Sequence, residues 1–309
     1  VIEFSLNLSE NIYNLHLELK DKTYTHSTYQ SFNISDPKPR NIHKAGVRDR
    51  LLHHAIYRVL YPYFDKKFIH DSCSCRLNKG THKAMNRFRE FSYKVSKNNT
   101  KQCWVLKCDV RKFFASIDQE VLMNILKKHI KDENIIWLLN QIISSFHTNY
   151  IGLTYGVKGL PLGNLTSQLL VNVYMNEFDQ YVKHKLKVKY YIRYADDFVI
   201  IHQNKNYLML NMRYIVCYLN QILKLELHPN KVSIKTLVSG IDFLGWVHFS
   251  DYRILRTSTK NRMFKRLKDS QNNQETTQSY LGLLKHGNTN KLTQTILRAP
   301  EAQNGTIEK

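Results

Sequence analysis

The sequence has few acidic residues, few cysteines and no long hydrophobic run, and each shortage excludes a class of protein. Its 309 residues include 25 Asp and Glu against 46 Lys and Arg, so the formal net charge is +21 at pH 7. No apolar run approaches the roughly 18 residues of a membrane-spanning helix. The five cysteines are odd in number and irregularly spaced, which argues against a disulfide framework and favours free thiols in a cytoplasmic protein.

The positive charge is concentrated in one part of the chain. Between Pro37 and Lys112, 19 Lys and Arg stand against 5 Asp and Glu, an excess of +14. Tyr and Phe interleave with these cations, a pattern that favours a nucleic-acid partner over a protein made soluble by lysine. The first 20 residues contain three Glu and no basic region, so we do not expect a signal peptide.

Local patterns predict a mixture of helices and strands. DRLLHHAIYRVLYPYF predicts a helix that ends at Pro62, and CWVLKC predicts a strand that ends at Asp109. The next helix has Asp118 as its expected N-cap. TSQLLVNVYMNEFDQYVKHKL predicts a long helix, for which Thr166 and Ser167 are the candidate caps.

Two adjacent aspartates interrupt the apolar segment VKYYIRYADDFVIIHQ. The two apolar arms around a polar centre predict a β-hairpin with Asp196 and Asp197 at its turn. Adjacent carboxylates repel each other, and divalent cations between them would offset this repulsion. Mg²⁺ binds through one or two carboxylates together with substrate phosphates. Asp109 supplies a third carboxylate at a strand end, although a lone Asp-Asp pair is more often a solvated turn.

Three motifs occur in a fixed order, KCDVRKFF, GLPLGNLTSQ and YADDFVI, and are followed by NKVSIK and FLGW. Together they resemble a reverse transcriptase across roughly residues 34–290. The resemblance implies an α+β fold of the right-hand polymerase type with an antiparallel palm sheet. It implies an N-terminal extension at 1–33, fingers at 34–102, a palm with inserted fingers and loop segments at 103–249, and a short helical thumb with a C-terminal tail at 250–309.

The resemblance also implies a catalytic centre with two Mg²⁺ ions, for which Mn²⁺ is a possible substitute. Asp109, Asp196, Asp197 and the carbonyl of Val110 would be the metal ligands. Lys231, in NKVSIK, resembles the lysine proposed to protonate the leaving pyrophosphate. The primer grip would be formed by Phe243, Leu244, Gly245 and Trp246.

Further residues would contact the dNTP or the template. Arg76 would offer its planar guanidinium to the triphosphate, with help from Lys79. Phe114 would stack under the sugar and exclude a 2′-hydroxyl. Core packing is the alternative for Phe113 and Phe114, and we expect one of the two to pack inward. The whole expected set is Arg76, Lys79, Val110, Phe113, Phe114, Leu162, Gly163, Asn164, Gln168, Tyr194 and Ala195.

The loop LGNLTSQ indicates a subfamily. Most reverse transcriptases begin this loop with Gln-Gly and end it with Ser-Pro, whereas here Leu162 replaces the Gln and Gln168 replaces the Pro. This pattern resembles the reverse transcriptases of diversity-generating retroelements, which copy a template-repeat RNA into cDNA with errors opposite template adenines. We hypothesise that Leu162 and Arg76 lower fidelity.

The resemblance implies four kinds of partner: the RNA template, the cDNA or primer, dNTPs and a small basic oligomeric accessory protein. The first 30 residues are a candidate contact surface for the accessory protein. No membrane partner is expected.

Other interpretations stay open at this point. Another bacterial reverse transcriptase, of the retron or group II intron type, would share the aspartates but not LGNLTSQ. A catalytically silent RNA-binding scaffold would have no need of all three aspartates. A metal-dependent nuclease would not explain the segments that resemble fingers and thumb.

Overall fold

The computed structural model describes residues 1–35, 39–148, 157–270 and 273–298. A π-helical turn, Tyr181–Lys185, continues the eighth helix. The helices of the described residues are α1 (Ile2–Leu6), α2 (Leu8–Lys20), α3 (Val47–Asp65), α4 (Thr81–Val95), α5 (Phe113–Ser116), α6 (Gln119–His129), α7 (Glu133–Ser144), α8 (Leu165–Gln180), α9 (Lys205–Gln221), α10 (Thr257–Asp269), α11 (Gln274–Leu284) and α12 (Asn290–Arg298).

The strands form three antiparallel sheets. The order in the central sheet is β4-β5-β3-β6, and the other two sheets are β1-β2 and β7-β8-β9. The strands are β1 (Gln30–Ile34), β2 (Arg40–Lys44), β3 (Trp104–Asp109), β4 (Tyr191–Tyr194), β5 (Asp197–His202), β6 (Ser233–Thr236), β7 (Ile241–Phe243), β8 (Trp246–His248) and β9 (Arg253–Leu255).

Both faces of the central sheet are buried at strand β5. On β5, Phe198 and Ile200 belong to a core shared with α3, α6, α7, α8 and α9, whereas Val199 and Ile201 belong to a second core with α4. A strand buried on both faces is apolar at every position, which explains the continuous apolar run after the aspartates. A third core joins α10, α11 and α12 to the β7-β8-β9 sheet around Trp246, which is 2% exposed.

Two predicted helix boundaries are wrong. Helix α3 continues through Pro62 to Asp65, because a proline this close to the C-terminus interrupts only the last turn. Helix α8 starts at Leu165 with Asn164 as its N-cap residue, so Thr166 and Ser167 lie inside the helix and are buried. The predicted cap at Asp118 is confirmed, since its carboxylate accepts a hydrogen bond from the Val121 amide at 3.0 Å.

All five cysteines are free, as predicted. In the part of the chain that the structure describes, every helix is too short or too polar to cross a membrane.

Candidate active site

The three predicted aspartates lie where β3 ends and β5 begins. Asp109 is the register partner of Asp197 in the antiparallel β3-β5 pair, so their side chains lie on the same face of the sheet. Asp196 lies in the turn between β4 and β5, which the Tyr194–Asp197 pair closes. The backbone amide of Val110 donates to the Asp196 carbonyl at 3.2 Å, which joins the turn to the end of β3. The predicted hairpin is therefore confirmed.

The hairpin turn is strained and is supported from beneath. Ala195 has a φ of 54°, a left-handed conformation that costs a residue with a Cβ roughly 1–2 kcal/mol. Its carbonyl accepts a hydrogen bond from Nη1 of Arg193 at 3.1 Å. Arg193 is fully buried and pairs with Asp179, Nη2 to Oδ2, at 2.6 Å. A buried ion pair thus holds the turn that presents Asp196.

The electrostatics of the site disfavour the ionised forms of Asp196 and Asp197. Burial, followed by the charge of Asp197, raises the pKa of Asp196 to about 6. Burial also raises the pKa of Asp197, against the opposing effect of Lys107. Two lysines offset part of the negative charge: Nζ of Lys231 lies 2.8 Å from Oδ1 of Asp109, and Nζ of Lys107 lies 3.7 Å from Oδ1 of Asp197.

The donor set fits a hard divalent cation. Oδ1 of Asp197 is buried and has no hydrogen-bond partner, and carboxylate oxygens are the ligands that Mg²⁺ prefers. Among the described residues, no three His, Cys, Asp or Glu side chains form a ready-made metal cluster. A cation at Asp109 would also have to displace the ammonium of Lys231. We therefore expect the substrate phosphates to complete the ligand set.

The two phenylalanines after Asp109 differ in burial. Phe113 lies in the main core and is 4% exposed, whereas Phe114 packs against that core with part of its ring accessible. The expectation that one of the two packs inward is met by Phe113. Phe114 is therefore the better candidate for the contact with the sugar.

The side chain of Arg76 forms hydrogen bonds with neighbouring residues of the protein. Its Nε donates to Oδ1 of Asp65 at 2.7 Å, and Nη1 donates to the carbonyls of Ile69 and Ser72. The side chain is only 6% exposed. Lys79 donates to the His70 carbonyl at 2.9 Å. A triphosphate contact by either residue stays a prediction, and for Arg76 it would require these bonds to break.

The loop before α8 is held against strand β2. The His43 amide donates to the Leu162 carbonyl at 2.9 Å, and Nδ2 of Asn164 donates to the His43 carbonyl at 2.8 Å. Gly163 has a φ of 111°, and a Cβ at this position would lie 2.8 Å from Cγ2 of Ile42. The loop therefore needs glycine there, both for its conformation and for the close approach to β2.

The segment predicted as a primer grip is a tight hairpin turn. Leu244 and Gly245 connect β7 to β8 with φ values of 53° and 86°, as a type I′ turn requires. Phe243 and Trp246 flank the turn and are buried, so only the turn itself is available to a ligand.

Sequence reasoning missed a hydrogen-bond chain that links the N-terminal segment to α8. Nδ1 of His26 faces the Ser27 carbonyl at 2.6 Å, Nε2 of His26 faces Nε2 of His53 at 3.1 Å, and Nδ1 of His53 faces the Thr166 hydroxyl at 3.2 Å. A carbonyl only accepts, so Nδ1 of His26 carries a proton. Burial lowers the pKa of His53 to about 4, so this ring is neutral. Nδ1 of His53 and the Thr166 hydroxyl therefore share one buried hydrogen bond.

We expect Thr166→Val to destabilise the protein by about 1–3 kcal/mol, because it leaves a buried ring nitrogen of His53 unpaired. Thr166 and His53 are 2% and 1% exposed, so water cannot readily replace the lost bond. The measurement is the urea unfolding midpoint, with Thr166→Ser as the control that keeps the hydroxyl. Equal midpoints for the valine variant and the wild type would contradict this hydrogen-bond chain.

Comparison with known proteins identifies relatives of the chain. Residues 35–248, more than half of the sequence, match the family described as reverse transcriptase (RNA-dependent DNA polymerase). Protein YkfC of Escherichia coli K12 is 25% identical over 68% of this chain and 63% of its own length. The group II intron-encoded protein LtrA of Lactococcus lactis is 22% identical over 83% of this chain and 52% of its own length. The chain thus spans between half and two thirds of these two relatives.

Solved structures support the same architecture. Apo telomerase from Candida tropicalis superposes with a TM-score of 0.55 at 12% identity, over 77% of this chain and 50% of that one. Telomerase from Candida albicans, in complex with a fragment of telomeric RNA, gives 0.53 at 11% identity, over 77% and 46%. The predicted right-hand polymerase fold, with helices and an antiparallel sheet, is confirmed. The residue boundaries of fingers, palm and thumb stay a prediction.

Proposed function

The chain belongs to the reverse transcriptase family, and on that premise we propose that it is an RNA-directed DNA polymerase that copies a template-repeat RNA into cDNA with errors opposite template adenines. The observation that carries the polymerase activity is the pairing of Asp109 with Asp197 beside the turn at Asp196. Asp109 and Asp197 stand on one face of the central sheet, and Asp196 lies in the adjoining turn.

The chain's own residues divide the work of nucleotidyl transfer. Asp109, Asp196, Asp197 and the carbonyl of Val110 would hold two Mg²⁺ ions. When bound, the ions would activate the primer 3′-hydroxyl and stabilise the leaving pyrophosphate. Phosphoryl transfer otherwise needs mainly positioning and charge.

Lys231 and Phe114 would supply that positioning and charge. The ammonium of Lys231 already lies at the aspartates, from where it would give a proton to the pyrophosphate. The partly accessible ring of Phe114 would lie under the sugar, and the turn at Leu244 and Gly245 would hold the primer end.

The retroelement subtype rests on the loop that begins at Leu162. Leucine cannot restrain a nascent base pair by hydrogen bonding, as glutamine can, so an imperfect pair would meet a smaller penalty. The loop backbone is fixed to β2 through Leu162 and Asn164, so the difference lies in the side chain. This argument explains a general loss of fidelity; the selectivity for adenine follows from the family resemblance.

A second candidate is a reverse transcriptase of the group II intron type without adenine mutagenesis. The similarity to LtrA over 83% of this chain favours it. Both candidates use the same aspartates, so the spectrum of errors distinguishes them.

The proposed accessory protein has a candidate contact surface on α1 and α2. Ile2, Leu6 and Ile12 are 81%, 78% and 45% exposed. Apolar side chains exposed on neighbouring helices are typical of a protein-protein contact. For the RNA, the excess of Lys and Arg between residues 37 and 112 supports binding along the fingers.

Primer extension on an adenine-containing RNA template tests the proposal. The reaction contains dNTPs and Mg²⁺, with and without a neighbouring small basic protein, and the products are sequenced. We expect cDNA with errors concentrated opposite adenine. Faithful cDNA would favour the group II intron type, and no cDNA under any condition would favour the silent scaffold.

We expect Leu162→Gln to lower the total error rate, including errors opposite adenine, about two- to ten-fold. One restored hydrogen bond contributes about 0.5–1.5 kcal/mol, which corresponds to this range. Leu162→Met is the matched control, since it keeps an apolar side chain of similar size. An unchanged adenine error rate in the glutamine variant would exclude this role. Arg76 is a less direct test, because its substitution also breaks the bonds to Asp65.

A further inference from the structure

A cavity of about 280 Å³ lies where the C-terminal half of α4 meets the turn between β8 and β9 and the loop after α11. Arg89 and Lys285 are exposed at its rim, whereas Ser92 and part of Arg253 are buried in its wall. None of the described residues that line it belongs to the predicted active site. The cavity therefore needs an explanation of its own.

Two buried polar atoms in the wall have no hydrogen-bond partner in the protein. They are Oγ of Ser92, a residue only 3% exposed, and Nη1 of Arg253. The other guanidinium nitrogens of Arg253 are used: Nε donates to the His286 carbonyl and Nη2 donates to Oδ1 of Asn86 at 3.1 Å. A buried guanidinium nitrogen can only donate, so the wall is short of an acceptor.

The charge of the cavity identifies the kind of acceptor. Three cations line it, Arg89, Lys285 and Arg253, against one carboxylate, Asp251, among the described lining residues. Asp251 already accepts a hydrogen bond from Nδ2 of Asn99 at 2.7 Å. Burial and the nearby charge of Arg89 both lower the pKa of Arg253, so an anion here would relieve repulsion between cations.

We propose that this cavity is a phosphate-binding site, in which the guanidinium of Arg253 and the hydroxyl of Ser92 bind the oxygens while Arg89 and Lys285 neutralise the charge. The unpaired Nη1 of Arg253 can donate to a phosphate oxygen, and an ammonium attracts such oxygens as a point charge. A backbone phosphate of bound nucleic acid is the natural occupant that we assign, and this assignment rests on the proposed function. Free phosphate has the same chemistry and is the source to be distinguished.

The site lies at a junction between separate parts of the fold. The ring of His286 stacks on His82 of α4 with centroids 3.7 Å apart, and the Asn288 amide donates to the Arg253 carbonyl at 2.8 Å. A phosphate bound between Ser92 and Arg253 would add a bridge from α4 to β9, and through it to this loop. Nucleic-acid binding would thereby fix the C-terminal helices against α4.

Binding assays on the full chain without dNTPs test the site independently of polymerisation. The first probe is inorganic phosphate, titrated at constant ionic strength while the melting temperature is recorded. We expect phosphate to stabilise the wild type. We expect Arg89→Gln/Lys285→Gln to weaken the apparent affinity at least fivefold and Ser92→Ala at least twofold. The control, Lys101→Gln/Lys265→Gln, removes the same charge from exposed positions outside the cavity.

The second probe is a labelled single-stranded RNA, measured by anisotropy over a range of salt concentrations. A backbone phosphate at the site predicts that the rim variant lowers the salt slope by about 0.7 more than the control does, since this is the contribution of one phosphate contact with a single strand. Equal slopes, with phosphate stabilisation lost only in the rim variant, would assign the site to free phosphate. Equal phosphate responses in the wild type and the rim variant would overturn the site.

Discussion

Asp196→Asn is expected to lower the rate of primer extension by about 10³-fold or more. The same substitution is expected to stabilise the metal-free protein against unfolding at pH 8. The loss follows from removing a charged group that the proposed chemistry needs, since one preorganised electrostatic contact contributes about 10²–10³ in rate. The gain in stability follows from the site's own repulsion. Asp196 is disfavoured as an anion by burial, by Asp197 and by Asp109.

The sign of the pH dependence follows from the raised pKa. The pKa of Asp196 is about 6 in the folded protein against an ordinary value of 3.8. Ionisation therefore favours the unfolded chain, and stability falls as the pH rises from roughly 4 to 6 and stays lower above it. An asparagine at this position removes the loss, which we expect to be about 1–3 kcal/mol at pH 8.

The measurement is urea unfolding in EDTA at pH 5 and pH 8, beside primer extension in Mg²⁺. Asp269→Asn, at an exposed position at the end of α10, is the control and should change neither quantity. A variant less stable than the wild type at pH 8 would show that the carboxylate is not under electrostatic strain. A variant that still extends primers at the wild-type rate would remove Asp196 from the catalytic centre.

The hairpin and its aspartates were predictable because their signal is local. Two apolar arms on either side of Asp196 and Asp197 specify a hairpin with few alternatives, and a strand that ends at Asp109 is equally visible. The end of α3 and the start of α8 were predicted wrongly. Pro62 in the last turn of α3 does not end that helix, and the bond between Asn164 and β2 fixes the residue at which α8 begins. Tertiary contacts decided both.

The supports of the site could not be predicted from one sequence. Two of these supports are the Arg193–Asp179 pair and the hydrogen-bond chain through His26, His53 and Thr166. Both join residues that are separated in the sequence, and the sequence around a polar residue does not indicate which distant residue it will contact. Arg76 illustrates the converse. Its motif indicated a ligand contact, which stays a prediction, but nothing in the motif indicated the bonds that its side chain makes in the fold to Asp65 and two carbonyls. Long-range packing, rather than local pattern, decides what such side chains contact.

The buried Arg193–Asp179 pair gives the largest expected effect on stability. Both side chains are fully buried, and the carboxylate binds Nε at 2.8 Å and Nη2 at 2.6 Å. The remaining guanidinium hydrogens go to Asn172, Ser72 and the Ala195 carbonyl, and Tyr191 donates to Asp179 at 2.7 Å.. Because every donor is used, removal of the carboxylate charge leaves a buried cation without compensation.

We expect Asp179→Asn to lower the free energy of unfolding by about 3–5 kcal/mol, the usual cost of breaking a buried pair by removing one partner. The double variant Asp179→Leu/Arg193→Met should lose less, since no charge is left buried. Glu90→Gln, which breaks exposed pairs with Arg87 and Lys94, is the matched control and should cost less than about 1 kcal/mol.

Urea unfolding of the three variants tests the arrangement, and primer extension by Asp179→Asn under conditions where it stays folded tests its role at the site. Arg193 also holds the Ala195 carbonyl, so the turn that presents Asp196 should shift and the turnover rate should fall together with stability. If the double variant were as unstable as Asp179→Asn, the loss would come from packing rather than from an uncompensated charge. If turnover were unchanged while stability fell, the pair would support the fold without positioning the catalytic turn.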